Sequence, residues 1–217
     1  MVLRLPPFEP LPPPPDSPGR LLQVAVAELQ PTQLCVGLAE IRQRQTDFAE
    51  ESSNQRKRYL SGKPVPLVRS GDGALWMVDR HHRLRALLEL DAAATAFGYV
   101  ALQLESRERE QALAELLDRG WLYLQDGRGQ GPHPPQRLPR TLLGLEDDPY
   151  RSLVWKLKQE RVIAPAPLIP FHEFRWGAWL RSRSLPPFSS LRLEPALPAA
   201  RALARSRAAR GLAGWKG

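Results

Sequence analysis

Pro64-Val65-Pro66-Leu67-Val68-Arg69-Ser70-Gly71-Asp72-Gly73-Ala74-Leu75-Trp76-Met77-Val78-Asp79-Arg80-His81-His82-Arg83-Leu84-Arg85-Ala86-Leu87-Leu88 is the most informative run of the chain. Two short apolar segments flank a Gly/Asp cluster, the pattern of two strands joined by a turn. Directly after it, Leu84, Ala86, Leu87, Leu88 and Leu90 fall at helical spacing, with Asp79 as the expected N-cap. A strand is therefore predicted to feed a helix N-terminus at Asp79. Unpaired N–H groups and the positive end of the helix dipole gather at such a junction, and here two of the four histidines and two arginines gather with them. Those groups suit a phosphate. The same string also fits a structural junction, with Asp79 capping, His82 in the core, and Arg80 and Arg83 solvated.

Outward from this run, Leu21 to Val26 reads as a strand closed by Pro31. Between Thr32 and Ser61, Leu38, Ile41, Phe48, Tyr59 and Leu60 fit one or two helices stopped by Gly62. Phe97 to Leu104 reads as a strand, Arg107 to Arg119 as a helix, and Trp121 to Leu124 as a short extended segment. Residues 126 to 140 form a Gly/Pro/Arg loop long enough to be functional or mobile. Asp148-Pro149 restarts a helix to about Glu160, and a last helix spans about Phe171 to Arg183. The expected class is α/β (α+β), a small mixed sheet with flanking helices. There is no internal repeat.

The 217 residues are 42% hydrophobic and include six Trp and six Phe, enough for a core, while 23 Pro exclude a coiled coil. Cys35, the single cysteine, excludes an internal disulfide framework and a multi-cysteine metal cage, and reads as a small buried hydrophobe. No apolar run is long enough for a membrane span and the N-terminus lacks a signal-like apolar stretch, so a cytoplasmic protein is expected. The net charge of +8 is concentrated at the end: from Arg181 on, eight basic residues face one acid, Glu194. The expected organisation is a Pro-rich disordered arm over 1–20, a folded domain with a helical C-terminal extension over 21–185, and a loosely ordered basic Pro/Ala/Arg-rich tail over 186–217. Within that tail, Ala199 to Gly211 could turn helical on a partner.

The hairpin followed by Asp-x-His-His-Arg and an Arg-Ala-Leu-Leu helix resembles the ParB/sulfiredoxin superfamily, and within it the ParB-like nuclease family. Further strings continue the resemblance in order over about Leu22 to Arg183: Thr32-Gln33 with Val36-Gly37 and Glu40, Tyr59-Leu60 with Pro64-Val65-Pro66, and Asp79, His81, His82, Arg85 and Ala86. Gly120-Trp121, Leu138-Pro139, Asp147-Asp148-Pro149-Tyr150-Arg151-Ser152-Leu153, and Pro170-Phe171 with Glu173-Phe174 and Trp176 complete it. Two departures stand out. Arg80 replaces the glycine the family commonly has between Asp and His-His, and His81 occupies the place where sulfiredoxin-like relatives carry a catalytic Cys, so sulfinic-acid reduction is not expected.

The resemblance implies a ParB/sulfiredoxin-like fold and nucleotide binding through the strand–His–Arg–helix junction, with phosphoryl chemistry by a nuclease or a small-molecule kinase-like activity. On that reading Asp79, His81, His82 and Glu40 are the candidate catalytic residues. Arg80, His81, His82 and Arg83 would bind ATP, ADP or CTP, or a phosphorylated small molecule, and Asp79 would hold Mg²⁺. His81, His82 and Arg83 are expected to line an open concavity with Glu40 in reach. The alternative is a non-enzymatic protein that contacts nucleic acid or another partner through the basic tail, without a helix-turn-helix reader. Glu146-Asp147-Asp148 is explained by capping, Trp176 and Trp179 by packing, and His133 and His172 have no evident role.

Overall fold

The structure, a computed structural model, describes residues 7–217. In chain order it contains β1 (Leu22–Ala25), β2 (Leu29–Pro31), β3 (Cys35–Val36), α1 (Leu38–Glu50), α2 (Ser53–Ser61), β4 (Val65–Arg69), β5 (Leu75–Met77), α3 (His81–Leu90), β6 (Thr95–Gln103), α4 (Arg109–Asp118), β7 (Glu146–Asp147), α5 (Pro149–Gln159), α6 (His172–Arg181) and α7 (Leu197–Arg205). The mixed α and β class follows the expectation. The chain divides into two compact units, the first built from residues up to Leu34 with Ile41–Gln125 and Gly131–Leu145, the second from Cys35–Glu40, Asp126–Gln130 and Glu146–Gly217.

The first unit carries a five-stranded mixed sheet in the order β1-β6-β4-β5-β2. The predicted hairpin is its centre: Leu67 pairs antiparallel with Met77 and Arg69 with Leu75, while β4 runs parallel to β6. Asp72 tightens the turn, accepting from the Ser70 hydroxyl at 2.6 Å and from the Ala74 N–H at 3.0 Å. Helix α3 forms because its apolar stripe is sealed on one side, with Leu84, Ala86, Leu87 and Leu88 all buried. Each large side chain so buried contributes about 1.5–3 kcal/mol relative to exposure. Helix α2 is started by a capping box between Ser52 and Gln55. A second apolar cluster gathers Leu34, Val68, Trp76, Leu104, Leu113, Leu116, Trp121 and Leu138.

Residues 1–6 of the arm lie outside the described residues. Residues 7–17 have no regular secondary structure, and a single helical turn follows at Pro18–Arg20. They are nonetheless tied down. Phe8 and Leu11 pack on the Trp76/Trp121 cluster, the Glu9 N–H donates to the Arg119 carbonyl at 2.9 Å, and the Trp121 indole donates to the Glu9 carbonyl at 2.7 Å.

The second unit pairs β3 with β7 in parallel and packs α5, α6 and α7 around Leu153, Val154, Leu157, Trp176 and Leu180. Pro149 occupies the first turn of α5 and the Asp148 carboxylate accepts the Tyr150 N–H at 2.9 Å, as the sequence predicts. The expectation of a loosely ordered tail does not hold, because Ala196, Leu197, Ala200 and Ala204 make a buried ridge on α7 that joins this core. Alanine at helical spacing lets two helices approach closely while leaving the opposite face to arginine. A composition that looks too poor to fold alone is thus sufficient as the last layer of an existing core. The Gly-rich loop is also anchored: Gly129, at φ +74°, sits where a Cβ would fall 2.4 Å from the Arg181 guanidinium.

Candidate functional site

Strand β5 ends at Met77, and the next three residues turn the chain into α3. The turn is made by Arg80 in the left-handed region, φ 78° and ψ 16°, a conformation that costs a non-glycine residue about 1–2 kcal/mol. The cap differs from the expectation. Arg80, not Asp79, is the capping residue and makes no side-chain cap bond; Asp79 Oδ1 instead accepts the Arg80 N–H at 2.7 Å, and Asp79 Oδ2 lies 2.9 Å from the Arg80 guanidinium. Both side chains of this pair are exposed.

His81, His82 and Arg83 are all buried, so the open concavity lined by these three side chains is not what the junction presents. His81 is 3% exposed and its Nε2 accepts the Thr32 N–H at 3.1 Å. The Thr32 hydroxyl donates in turn to the Met77 carbonyl at 2.9 Å. Burial lowers the His81 pKa to about 4 against the opposing pull of Asp79, so the ring is neutral at pH 7 and its acceptor nitrogen is already used. His81 therefore stitches the end of β2 to the end of β5. It cannot offer an imidazolium to an anion, which corrects the role the sequence suggested.

The charge at this junction belongs to arginine. Arg83 is 8% exposed, donates from Nη1 to the Lys63 carbonyl at 2.9 Å, and lies 4.9 Å from the Tyr59 ring centroid. Its buried Nε finds no acceptor, nor does that of Arg80, and no carboxylate bonds to Arg83 among the described residues. Burial lowers its pKa, Tyr59 opposes that shift, and the like charges of Arg80 and Arg44 add to it. Lys63 Nζ lies 4.8 Å from the centroid of the same Tyr59 ring. Four cationic residues thus surround one short segment; Asp79 answers Arg80, and Asp47 lies 3.6 Å from the Arg44 guanidinium.

Glu40 falls in the second unit, where its carboxylate meets the Arg151 guanidinium at 3.2 Å, in company with buried charges of its own kind. Arg181 donates to Asp148 at 2.7 Å, and Lys158 bonds Glu173, whose pKa falls to about 2 because Arg151 and Lys158 outweigh the opposing effect of burial. The Leu38 N–H and the Ser190 hydroxyl both donate to Asp147 Oδ1, at 3.1 and 2.7 Å. Cys35 is buried and its thiol pKa is pushed well up by burial, which fits the small hydrophobe expected of it.

No three metal-ligating side chains come together among the described residues. Asp79 offers a single carboxylate with both oxygens engaged by Arg80, so these residues do not make a protein-built Mg²⁺ site. Sequence reading missed Arg44, Lys63 and Tyr59, because their approach to Arg83 depends on how α1 and α2 pack and not on any local motif. No helix among the described residues is long and apolar enough to cross a membrane.

The family described as "Putative ParB-like nuclease" matches residues 22–182. The crystal structure of protein Atu1540 from Agrobacterium tumefaciens is similar to this chain, with a TM-score of 0.79 and 29% identity over 91% of this chain and 98% of that one. No curated protein is significantly similar in sequence.

Proposed function

Because the chain belongs to the ParB-like nuclease family, whose match spans residues 22–182 and points to a nucleic-acid-related function, we propose that it binds the phosphates of a nucleotide or nucleic acid at the start of α3. The observation that carries this reading is Arg83, a guanidinium held 8% exposed beside Arg80 and Arg44 with no carboxylate to balance it. A buried cation without a counter-charge is costly, and a phosphate oxygen would supply both the missing acceptor and the missing charge. The first N–H groups of α3 add donors in the same place.

Asp79 gives this site its chemistry. A phosphate that engages Arg80 competes with the Asp79 carboxylate for the same guanidinium. The displaced carboxylate is then the group at the junction able to take a proton from an attacking water or hydroxyl, the step phosphodiester hydrolysis or phosphate transfer requires. His82 borders the junction and would help to fix the ligand; His81 holds the scaffold.

The test is a thermal-shift panel of ATP, ADP, CTP, GTP and inorganic pyrophosphate, with and without Mg²⁺. A ligand at a hundred times its dissociation constant stabilises by about 2.7 kcal/mol, which for a chain of this size moves the midpoint by roughly 5 °C or more. Arg83→Met should abolish the shift. If no phosphate compound moves the midpoint of the wild-type protein, the reading is wrong.

A second reading, binding of a nucleic-acid backbone by the C-terminal segment, is favoured by one observation. Arg205, Arg207 and Arg210 are exposed on and just after the ordered helix α7. A polyanion there would not require the α3 junction, and Arg205→Gln/Arg207→Gln/Arg210→Gln, which changes exposed side chains and leaves the buried ridge of α7 in place, would remove it selectively.

A further inference from the structure

We propose that the groove between the proline arm and strand β6 seats a single-stranded nucleic-acid segment whose neighbouring phosphate lies at the start of α3. This rests on the phosphate-binding reading given above. The groove is a cavity of about 460 Å³ with Pro12, Pro13, Pro15, Arg20, Arg69 and Tyr99 among its walls. Pockets that hold small ligands run from about 300 to 1,000 Å³, the scale of a nucleotide unit and not of a duplex.

Two kinds of wall face each other here. Arg20 and Arg69 contribute guanidinium groups, and the lining contains no carboxylate to neutralise them. Neither arginine makes a side-chain hydrogen bond or ion pair within the described residues. Tyr99 and the three prolines contribute flat, largely apolar surfaces. Bases stack on such faces whatever their identity while backbone phosphates meet guanidinium groups, the combination that holds single strands without sequence preference.

The arm is a built wall. The Tyr99 hydroxyl donates to the Pro12 carbonyl at 2.8 Å, fixing ring and arm to one another, and the bonds that Glu9 makes with Arg119 and Trp121 hold the arm three residues upstream. Tyr99 also feels the charges of Arg80 and Asp79, so the groove lies within the electrostatic field of the α3 junction.

The experiment titrates the full chain into a short fluorescein-labelled oligodeoxythymidylate, its RNA counterpart and a matched duplex, and reads anisotropy at several salt concentrations. Expected is tighter binding of the single strands than of the duplex. Arg20→Gln/Arg69→Gln should weaken single-strand binding at least about tenfold and lower the salt slope by about 1.4, at about 0.7 per phosphate contact. Tyr99→Leu should weaken it at least about fivefold, and Tyr99→Phe, which keeps the stacking face and loses only the bond to Pro12, should weaken it clearly less. Thermal midpoints confirm that each variant is folded, and the arginines, which hold nothing together, should leave the midpoint unchanged. Single strands binding no better than duplex, binding indifferent to both sets of substitutions, equal losses in Tyr99→Leu and Tyr99→Phe, or equal competition by polyglutamate each overturn the groove assignment. If those results come with an intact pyrophosphate or nucleotide shift that Arg83→Met abolishes, the groove alone falls; if the wild type shows no shift, the α3 reading falls and takes the groove with it.

Discussion

Arg83 and Arg151 are buried to nearly the same degree, 8% and 7% exposed, and the two units solve the problem of a buried guanidinium in opposite ways. Arg151 has orphaned nitrogens of its own, Nε and Nη1, yet its charge is answered by Glu40 at 3.2 Å and by the nearby Glu173 carboxylate. Arg83 has an aromatic ring, a backbone carbonyl and two neighbouring cations, and no carboxylate. The first arrangement is complete as it stands. The second lacks a counter-charge, and that difference is what the proposal of a phosphate site at Arg83 rests on.

The comparison breaks most visibly if a counter-charge is taken from the complete pair. Glu40→Gln leaves Arg151 buried without its nearest carboxylate, and losing one partner of a buried pair costs about 3–5 kcal/mol. Urea unfolding should show that loss while the nucleotide-induced thermal shift per mole of folded protein stays the same. A stable Glu40→Gln protein that no longer responds to phosphate compounds would instead return Glu40 to the catalytic role its sequence context suggested.

His81 sharpens the contrast through pH. Its pKa is about 4 in the folded protein and near the ordinary 6.5 when unfolded, so between those values the unfolded chain binds more protons. Its contribution to stability is therefore fully present above about pH 6.5 and is lost as the pH falls to about 4, an effect on the order of 3 kcal/mol. Denaturant midpoints measured across that window should fall with acid, and His81→Gln should flatten the dependence. A dependence that survives the substitution would mean that another group carries it. Because His81 is neutral at pH 7, the positive charge at the junction there is arginine and lysine charge.

Arg83→Met is the third way to separate the two regions. Replacing an unbalanced buried cation by an apolar chain of similar length should change stability by no more than about 1 kcal/mol, or raise it. The same change should abolish the phosphate-dependent thermal shift. Loss of stability comparable to that of Glu40→Gln would show that Arg83 is as structural as Arg151.

The hairpin, the body of α3 and the Asp148-Pro149 cap were legible because each is written in local chemistry: a Gly/Asp turn, an apolar stripe, a side chain that accepts an N–H two residues on. The fate of the histidines was not. His81 is decided by an N–H at Thr32, 49 positions away, and no local pattern distinguishes an imidazole that accepts such a bond from one that faces solvent. The C-terminal segment misleads for a related reason. Its Ala196, Ala200 and Ala204 look too small to form a core, and they suffice only because Leu153, Leu157 and Trp176 already provide one. The resemblance to relatives singled out the junction, and the structure shows that His81, His82 and Arg83 are buried there.

The smallest effect concerns Arg80, where the family pattern that the sequence resembles would place a glycine. Arg80 pays about 1–2 kcal/mol for its left-handed backbone, and Arg80→Gly removes that strain. Glycine also makes the unfolded chain more flexible, at about 0.4–1 kcal/mol, and the exposed pair with Asp79 that is lost is worth about 0–1 kcal/mol. These contributions nearly cancel, so the thermal midpoint of Arg80→Gly should stay within a few degrees of wild type. Affinity for pyrophosphate should nevertheless fall severalfold, because one guanidinium leaves the site while Arg83 remains. A midpoint that rises with affinity unchanged would mean that Arg80 is strained without gripping anything. A strained residue retained with a measurable loss of binding on its removal would show that the backbone conformation is tolerated for the sake of the cation it places beside Asp79.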